Sequence, residues 1–312
     1  MINGQFPGPL IQANWGDIIK VTVNNQIFNP EEGTSMHWHG FLQKETPWYD
    51  GVPSIGQCPI APGASFTYQF RADNYGSTWY HAHYSAQYSG GILGPMIIHG
   101  PKHVDYDIDL GPVMMGDWYH REYFKVVEDA ATTSNDFNVY VPASDNVLIN
   151  GKNNYNCSLA TNGTKCSPNA GLSKFKFHTG KTHRLRLVNA GAAALIRFSI
   201  DGHSLQVIAN DFVPVVPYET DVVVLGVGQR TDVVVKATGN PTDTYWMRST
   251  VGFNCSRSTA KEALAIIYYD KADGTAKPNS TSHKIPDNHC GNVSVPPPPS
   301  RIIWVERGRS LT

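Results

Sequence analysis

Two closely spaced pairs of histidines constrain the fold of this chain more than any other feature. The stretches HWHGF at residues 37–41 and YHAHYS at residues 80–85 each place two histidines one residue apart. On an extended strand, side chains two residues apart point to the same side. Each His-x-His pair would therefore form a fork of two imidazole rings, provided that the local structure is β.

The segments around both forks have the pattern of β-strands. GDIIKVTVNN, before the first fork, is rich in β-branched residues, and ASFTYQFRA, between the forks, alternates aromatic with small or polar residues. Short strand-like runs continue along the chain, and only REYFKVVEDAATT at residues 121–133 has the pattern of a short helix. The 28 glycines, 21 prolines and low charged fraction of 16% suit a chain with many turns. The sequence predicts an all-β protein.

The strand-like runs fall into two blocks followed by a linker. We expect a first domain at residues 1–103, which carries both forks, and a second at residues 104–275. Residues 276–312 are polar and proline-rich, and they end in the strand-like RIIWVERGRSLT. This last stretch predicts a linker and the start of a further domain.

Net charge bears on the partners of the protein, and sequons beside cysteines bear on its location. The formal net charge of −1 gives no reason to expect nucleic acid or a membrane as partner, and no apolar run approaches the roughly 18 residues of a transmembrane helix. Sequons of the type Asn-x-Ser/Thr lie near cysteines in the second half, at Asn156, Asn162, Asn254, Asn279 and Asn292. Together they predict a secreted glycoprotein, although no signal-peptide pattern opens the chain.

Four imidazoles on neighbouring strands favour a metal site, because neutral imidazole is the commonest metal ligand. The candidate ligands are His37, His39, His81 and His83. The chain has neither the His-Glu-x-x-His of a zinc protease nor a Cys-x-x-Cys pair, so copper is favoured, though not decisively over zinc. A blue-copper site needs a cysteine between two histidines, and no such spacing occurs.

The motifs around these histidines resemble those of a fungal laccase-type multicopper oxidase. They are NGQFPGP, WGD, HWHG, DGVPSIGQCPI, TWYHAHYSAQYSGGILGPMII, DNVLINGK, HRLRLVNAG and VGQRTDVVV, and the similarity runs from residue 1 to about 290. The resemblance implies two tandem cupredoxin-like domains, each a Greek-key β-sandwich or barrel, without the family's third domain. It also implies copper as cofactor, and oxidation of phenol-like substrates coupled to reduction of O₂ to water.

The resemblance also assigns roles to the histidines. His37 would ligate the type 2 copper of a trinuclear cluster, and His39, His81 and His83 the type 3 pair. The remaining cluster ligands and the type 1 copper ligands lie, in the family, in His-Pro-x-His-x-His and His-Cys-His motifs that do not occur here. This chain would therefore supply half of the cluster, bind copper weakly and not oxidise phenols alone.

Asp50 resembles a family carboxylate near the type 2 water channel and would relay protons, unless it is simply the turn residue before Gly51. We expect both forks on one face of the first domain, with ring nitrogens that are not shared with carboxylates. The aromatic neighbours of the forks are expected to pack around the cluster: Trp38, Trp79 and Tyr80.

Residues of the second block receive other roles. Ala193 stands where many fungal laccases place a carboxylate that holds the phenol, so substrate preference stays open. The histidines without fork spacing are expected to be structural or exposed: His178, His183, His203, His283 and His289.

The five cysteines suggest a partial disulfide pattern. Cys157 and Cys166 are close enough in sequence to pair locally. The resemblance implies a loop disulfide between Cys255 and Cys290. Cys58 resembles the family cysteine that bonds the C-terminal region, so in this chain it should be unpaired.

Two alternatives to a laccase stay open at this point. A metal oxidase of the same family would want acidic residues near its type 1 site, and Asp201 is the only visible candidate. The chain could also be a non-catalytic copper-binding module. Sequence alone does not choose among a phenol, an aryl amine and a metal ion as reductant, nor does it set the oligomeric state.

Overall fold

The computed structural model describes residues 1–132, 141–160, 165–252 and 255–283. These residues form two compact units. Unit 1 contains residues 1–101 and 121–132, and unit 2 contains residues 102–120 and the described residues from 141 onward. The expected domain limits at residues 103 and 275 stay a prediction.

Unit 1 consists of six strands and one helix. The four-stranded sheet has the order β1-β6-β5-β3, and a second, two-stranded sheet pairs β2 with β4. The strands are β1 Ile11–Asn14, β2 Ile18–Asn24, β3 Met36–Trp38, β4 Ser65–Arg71, β5 Gly76–Ala82 and β6 Leu93–His99. Short 3₁₀ turns occupy Pro47–Tyr49 and Gln87–Gly90, and helix α1 spans Tyr123–Thr132.

Aromatic side chains join the two sheets of unit 1. Trp38 of β3 is fully buried, and its ring centroid lies 5.3 Å from that of Tyr68 and 5.1 Å from that of Phe70, both on β4. Aromatic pairs at this separation add to the hydrophobic burial of their rings. The alternation that predicts β4 therefore also supplies the apolar face on which β3 rests.

Unit 2 is a larger sandwich of two sheets. Their strand orders are β13-β12-β15-β10-β7-β8 and β14-β11-β16-β17-β9. The strands are β7 Ile108–Trp118, β8 Asn146–Ile149, β9 Ser173–Lys176, β10 Thr182–Asn189, β11 Ile196–Ile200, β12 Leu205–Asn210, β13 Val213–Thr220, β14 Val223–Leu225, β15 Arg230–Lys236, β16 Thr244–Val251 and β17 Glu262–Tyr268. One continuous apolar core takes side chains from both sheets, among them Leu185, Phe198 and Met247.

The strand content confirms the all-β prediction, and α1 confirms the predicted short helix. Both units also mix antiparallel pairs with parallel ones, β1–β6 in unit 1 and β7–β10 and β9–β17 in unit 2. Such parallel pairs need a crossover between sheets, as Greek-key sandwiches have. Among the described helices, none has both the length and the apolar character needed to cross a membrane.

The cysteines follow the expected pattern where they are described. Cys157 and Cys166 form a disulfide, and Cys58 is free and exposed, as predicted. Cys255 is disulfide-bonded. Its expected partner Cys290 lies outside the described residues, so that pairing stays a prediction.

Candidate metal centre

Strand pairing brings the two histidine forks together. Strands β3 and β5 are antiparallel, and their register places His37 directly opposite His81. The backbone N–H of His39 donates to Trp79 O at 3.1 Å, and that of His83 donates to Ser35 O at 3.1 Å. The register therefore extends past both strand ends, so His39 and His83 lie diagonally on either side of the central pair.

The four imidazoles lie on one face and close to one another. One ring nitrogen from each of His37, His39 and His81 lies within 4.8 Å of the other two. His83 extends the group, with its ring centroid 5.6 Å from His37 and 6.2 Å from His81. Exposure increases from His81, which is buried, through the half-buried His37 and His39 to the exposed His83.

Backbone carbonyls select which nitrogen of two rings is left for a metal. Nδ1 of His37 donates to the carbonyl of Asp50 at 2.7 Å, and Nδ1 of His81 donates to the carbonyl of Ala82 at 3.0 Å. A carbonyl only accepts, so both Nδ1 atoms carry the proton and both Nε2 atoms keep a lone pair. Metal-ligating histidines are commonly oriented by such a bond from the other ring nitrogen.

The spacing of His39 and His81 fits a shared ion. Nδ1 of His39 lies 3.4 Å from Nε2 of His81. Two imidazole nitrogens bound at about 2.0–2.1 Å to one ion in tetrahedral geometry would be about 3.3 Å apart. An all-imidazole donor set of this kind suits copper.

We expected that no ring nitrogen would contact a carboxylate, and Asp50 shows that this prediction is wrong for His37. Its Oδ1 lies 3.2 Å from Nδ1 of His37, and the hydrogen bond with His37 holds the pKa of the Asp50 carboxyl below its ordinary value. The contact arises because the 3₁₀ turn at Pro47–Tyr49 ends against β3. Gly51 permits this approach, since a Cβ there would lie 2.1 Å from Met36 O.

The buried side of the cluster is aromatic. The ring of Trp79 lies 4.2 Å from that of His81, so the packing prediction holds for Trp79. Trp38 and Tyr80 are also buried, but they alternate with the histidines along their strands and lie on the opposite face, where Trp38 packs on the aromatic rings of β4. The packing prediction is wrong for these two residues. The indole N–H groups of Trp38 and Trp79 have no hydrogen-bond partner among the described residues. Burial lowers the pKa of His81 to about 4, so this imidazole stays neutral at ordinary pH and can donate its lone pair.

The histidines of unit 2 are occupied in structural contacts, as expected. His178 pairs with Asp270 at 2.5 Å, and His283 Nε2 donates to Ile200 O at 3.0 Å. His183 and His203 are buried. His289 lies outside the described residues.

Asp201, the candidate acidic residue for a metal oxidase, is fully buried in an ion pair. Arg248 binds its two oxygens at 2.8 and 3.0 Å, and the hydroxyl of Ser280 donates to it at 2.8 Å. A carboxylate whose oxygens are held in this way is not available to a metal ion.

Sequence reasoning missed two polar side chains near functional segments, because no motif or spacing in the sequence marks them. Asp117 is buried and accepts the backbone N–H groups of Ala192, at 2.7 Å, and Ala193, at 3.2 Å; burial raises the pKa of this carboxyl. It thereby orders the loop in which Ala193 lies. The other is Gln87, which follows the second fork and joins it to the segment that precedes the first.

Comparison with known proteins gives a consistent result. Two family models described as multicopper oxidase match residues 1–103 and 109–272. The chain is 44% identical to Laccase-2 of Botryotinia fuckeliana over 294 residues, which are 94% of this chain and 48% of that protein. It is 46% identical to Oxidoreductase OpS5 of Beauveria bassiana over 290 residues, which are 92% of this chain and 48% of that protein.

Solved structures agree with these relatives. The laccase of Botrytis aclada superposes with a TM-score of 0.84 at 42% identity, covering 92% of this chain and 51% of that one. Fet3p, described as a multicopper oxidase that functions in iron import, superposes with a TM-score of 0.77 at 28% identity, covering 90% of this chain and 50% of that one. The chain thus spans about half the length of the curated relatives it matches.

Proposed function

The chain belongs to the multicopper oxidase family, and we propose that it is part of a laccase-type enzyme. Such an enzyme would couple one-electron oxidation of phenols or similar reductants to reduction of O₂ to water. The observation that carries the proposal is the convergence of ring nitrogens from His37, His39 and His81 within 4.8 Å. Strong sequence identity to laccases over nearly the whole chain supports it.

Within this proposal the four histidines hold copper. His39 and His81 would share one type 3 ion, since their nitrogens are 3.4 Å apart, while His83 would ligate the other and His37 the type 2 ion. Bound copper supplies the one-electron redox chemistry that no side chain here offers.

The side chains orient and protect this centre. The carbonyls of Asp50 and Ala82 fix the tautomers of His37 and His81, and the buried ring of Trp79 excludes water from the side of the cluster on which it packs. A site with rigid ligands needs less reorganisation when the metal changes oxidation state.

Asp50 would have a second role in moving protons. Its carboxyl has a lowered pKa, so it is ionised at neutral pH, and 35% of the side chain is exposed. It contacts both solvent and His37, so it would pass protons toward the type 2 position. The same contact also orients His37, so Asp50 would be both a relay and a positioning residue.

Copper titration and a phenol-oxidation assay on the 312-residue chain test the proposal. We expect weak Cu²⁺ binding that depends on the four histidines, no intense blue absorption and negligible turnover, because neither the type 1 ligand motif nor the other cluster motif occurs in these residues. Robust turnover or an intense blue band would place an electron-accepting copper where we find none of its motifs. Absence of histidine-dependent copper binding would refute the proposal itself.

The metal-oxidase alternative loses its candidate residue, because Asp201 is held by Arg248 and Ser280. The non-catalytic alternative is distinguished by reading the transcript beyond residue 312. A continuing frame with a His-Cys-His motif supports the enzyme, and an immediate stop codon supports the binding module.

We further propose that the protein is secreted and glycosylated. The disulfide between Cys157 and Cys166 suits an oxidising compartment, and the acceptor asparagines Asn156 and Asn279 are exposed. Peptide mass mapping before and after enzymatic deglycosylation tests this. Unmodified asparagine at every sequon of the protein from its native source would contradict it.

A further inference from the structure

Gln87 is a buried side chain whose amide is fully used. It lies four residues after His83, in the 3₁₀ turn Gln87–Gly90, and is 1% exposed. Nε2 donates to Glu32 Oε2 at 2.8 Å and to Gly33 O at 2.9 Å, while Oε1 accepts from the hydroxyl of Thr34 at 2.8 Å. Both amide hydrogens and the amide oxygen are thereby engaged.

All three partners of Gln87 belong to one short segment. Residues 32–34 lead directly into β3, which carries the first fork, whereas Gln87 follows the second fork. A single side chain therefore joins the backbone that enters one fork to the backbone that leaves the other. The bridge closes a separation of more than 50 residues along the chain.

Helix α1 adds a second support to the same carboxylate. The hydroxyl of Tyr123 donates to Glu32 Oε2 at 2.8 Å, so this oxygen accepts from both Tyr123 and Gln87. The ring of Tyr123 packs over Gly90, where a Cβ would lie 3.3 Å from Tyr123 Cδ1. Helix and turn are thus held to each other and to Glu32.

His83 is the histidine that needs this support. Strand β5 ends at Ala82, and His83 is exposed, so the strand ladder that fixes His37 and His81 reaches it only through the bond from its N–H to Ser35 O. The backbone N–H of Gln87 donates to Tyr84 O at 3.2 Å, which ties the residue after His83 to the turn that begins at Gln87. Ligand positions usually have to be held within about 0.5 Å for a working metal site.

We propose that Gln87, Glu32 and Tyr123 form a positioning bridge that sets the place of His83 relative to the other three histidines and thereby tunes copper affinity. The proposal rests on the copper role of the cluster set out above. None of the three residues is among the candidate copper ligands, so they act by positioning His83.

Gln87→Glu in the 312-residue chain is the principal test. The substitution is nearly isosteric, removes both N–H donors and places a second carboxylate against Glu32. We expect Cu²⁺ affinity to fall about tenfold or more, as losses of groups that orient metal ligands commonly do. The electron paramagnetic resonance spectrum of bound Cu²⁺ should change as well, which a loss of stability alone would not cause.

Gln69→Glu is the matched control, because Gln69 is exposed on β4 in the same unit and the chemical change is the same. It should leave affinity and spectrum unchanged. Tyr123→Phe removes one donor to Glu32 and keeps the ring, and we expect an affinity loss of about threefold. A decrease of equal size in the Gln69→Glu variant would show that added negative charge, not the bridge, is responsible.

The reciprocal exchange Glu32→Gln with Gln87→Glu provides a rescue. The amide at position 32 can then donate to the carboxylate at position 87, which still accepts from Thr34. We expect the exchange to recover part of the lost affinity and the parent spectrum. No recovery, in a chain shown by circular dichroism to be folded, would count against the bridge.

The outcomes separate this proposal from the copper role itself. If the parent chain shows no histidine-dependent copper binding, both fail. If it binds copper and Gln87→Glu binds equally well with the same spectrum, the bridge is wrong while the copper site stands. Should Gln87→Glu not fold, Tyr123→Phe decides, and parent-like affinity and spectrum in that variant would overturn the proposal.

Discussion

The histidines of the two units differ in what their ring nitrogens do. In unit 2, His203 donates from Nδ1 to Asp201 O at 2.8 Å, and its Nε2 accepts from the hydroxyl of Tyr269 at 2.7 Å. In unit 1, Nδ1 of His37 and Nδ1 of His81 each donate to a backbone carbonyl, so the lone pair on each Nε2 stays free for a metal. One ring nitrogen of each lies within 4.8 Å of a ring nitrogen of His39. A histidine is a ligand candidate when a lone pair is left over and directed at others of its kind.

Burial and pKa do not make this distinction. Burial is the main cause that lowers the pKa to about 4 for both His81 in the fork and His183 in unit 2. Yet His183 stacks on Phe177 with ring centroids 4.5 Å apart, and its Nε2 accepts the backbone N–H of His178 at 3.1 Å. The same shift therefore marks a candidate metal ligand in one unit and a core histidine in the other.

Removing two fork histidines should cause the largest change, a loss of copper affinity. The double substitution His81→Ala with His83→Ala deletes two of four imidazoles, one from each proposed type 3 ion, and we expect Cu²⁺ affinity to fall at least about 100-fold. Isothermal titration of Cu²⁺ measures it. His203→Ala is the control and should bind copper as the parent does; equal losses in both would erase the distinction between the units.

Loss of His203, which should not change copper affinity, should instead lower the stability of the protein. His203→Ala leaves the hydroxyl hydrogen of Tyr269 without an acceptor and the carbonyl of Asp201 without its His203 donor, and it opens a cavity in the core. We expect the free energy of unfolding to fall by about 2–4 kcal/mol. Urea denaturation measures the change. His178→Ala, which breaks an exposed pair with Asp270, should lower the free energy of unfolding much less than His203→Ala does, because solvent screens the pair. Similar costs for the two variants would mean that His203 is not a core residue.

Acidification should weaken unit 2 through His183. Between pH 6.5 and about 4 the unfolded chain binds a proton at this residue that the folded chain does not, so stability falls as the pH falls. At pH 5 the contribution lost is about 2 kcal/mol. His183→Gln should flatten the pH dependence of urea denaturation by that amount. An unchanged slope would show that His183 titrates normally in the folded chain.

Asp50→Asn should cause the smallest of these changes, a modest loss of copper affinity. The backbone carbonyl still accepts from His37, so only the carboxylate contact and its charge are lost. We expect Cu²⁺ affinity to fall about tenfold. Asp105→Asn, an exposed carboxylate in unit 2, is the matched control. Unchanged binding in Asp50→Asn would leave Asp50 as no more than the turn residue before Gly51.

The β class and the two forks follow from local rules. Alternation of apolar residues identifies β4, and the His-x-His spacing places two rings on one side of any strand. Both rules apply to a single strand, whichever strand lies next to it in the sheet. The same reasoning correctly separated His203 from the forks, since an isolated histidine in a strand-rich chain has no partner two residues away.

The tertiary structure alone decided which groups surround the forks. The pairing of His37 with His81, the approach of Asp50 to His37 and the bridge from Gln87 to Glu32 each join residues far apart in sequence. Our expectation that carboxylates avoid the ring nitrogens was wrong for His37, because the 3₁₀ turn before Asp50 folds back onto β3. Such contacts depend on register and loop closure, which are set by the packing of the whole unit and leave no periodic pattern in the chain.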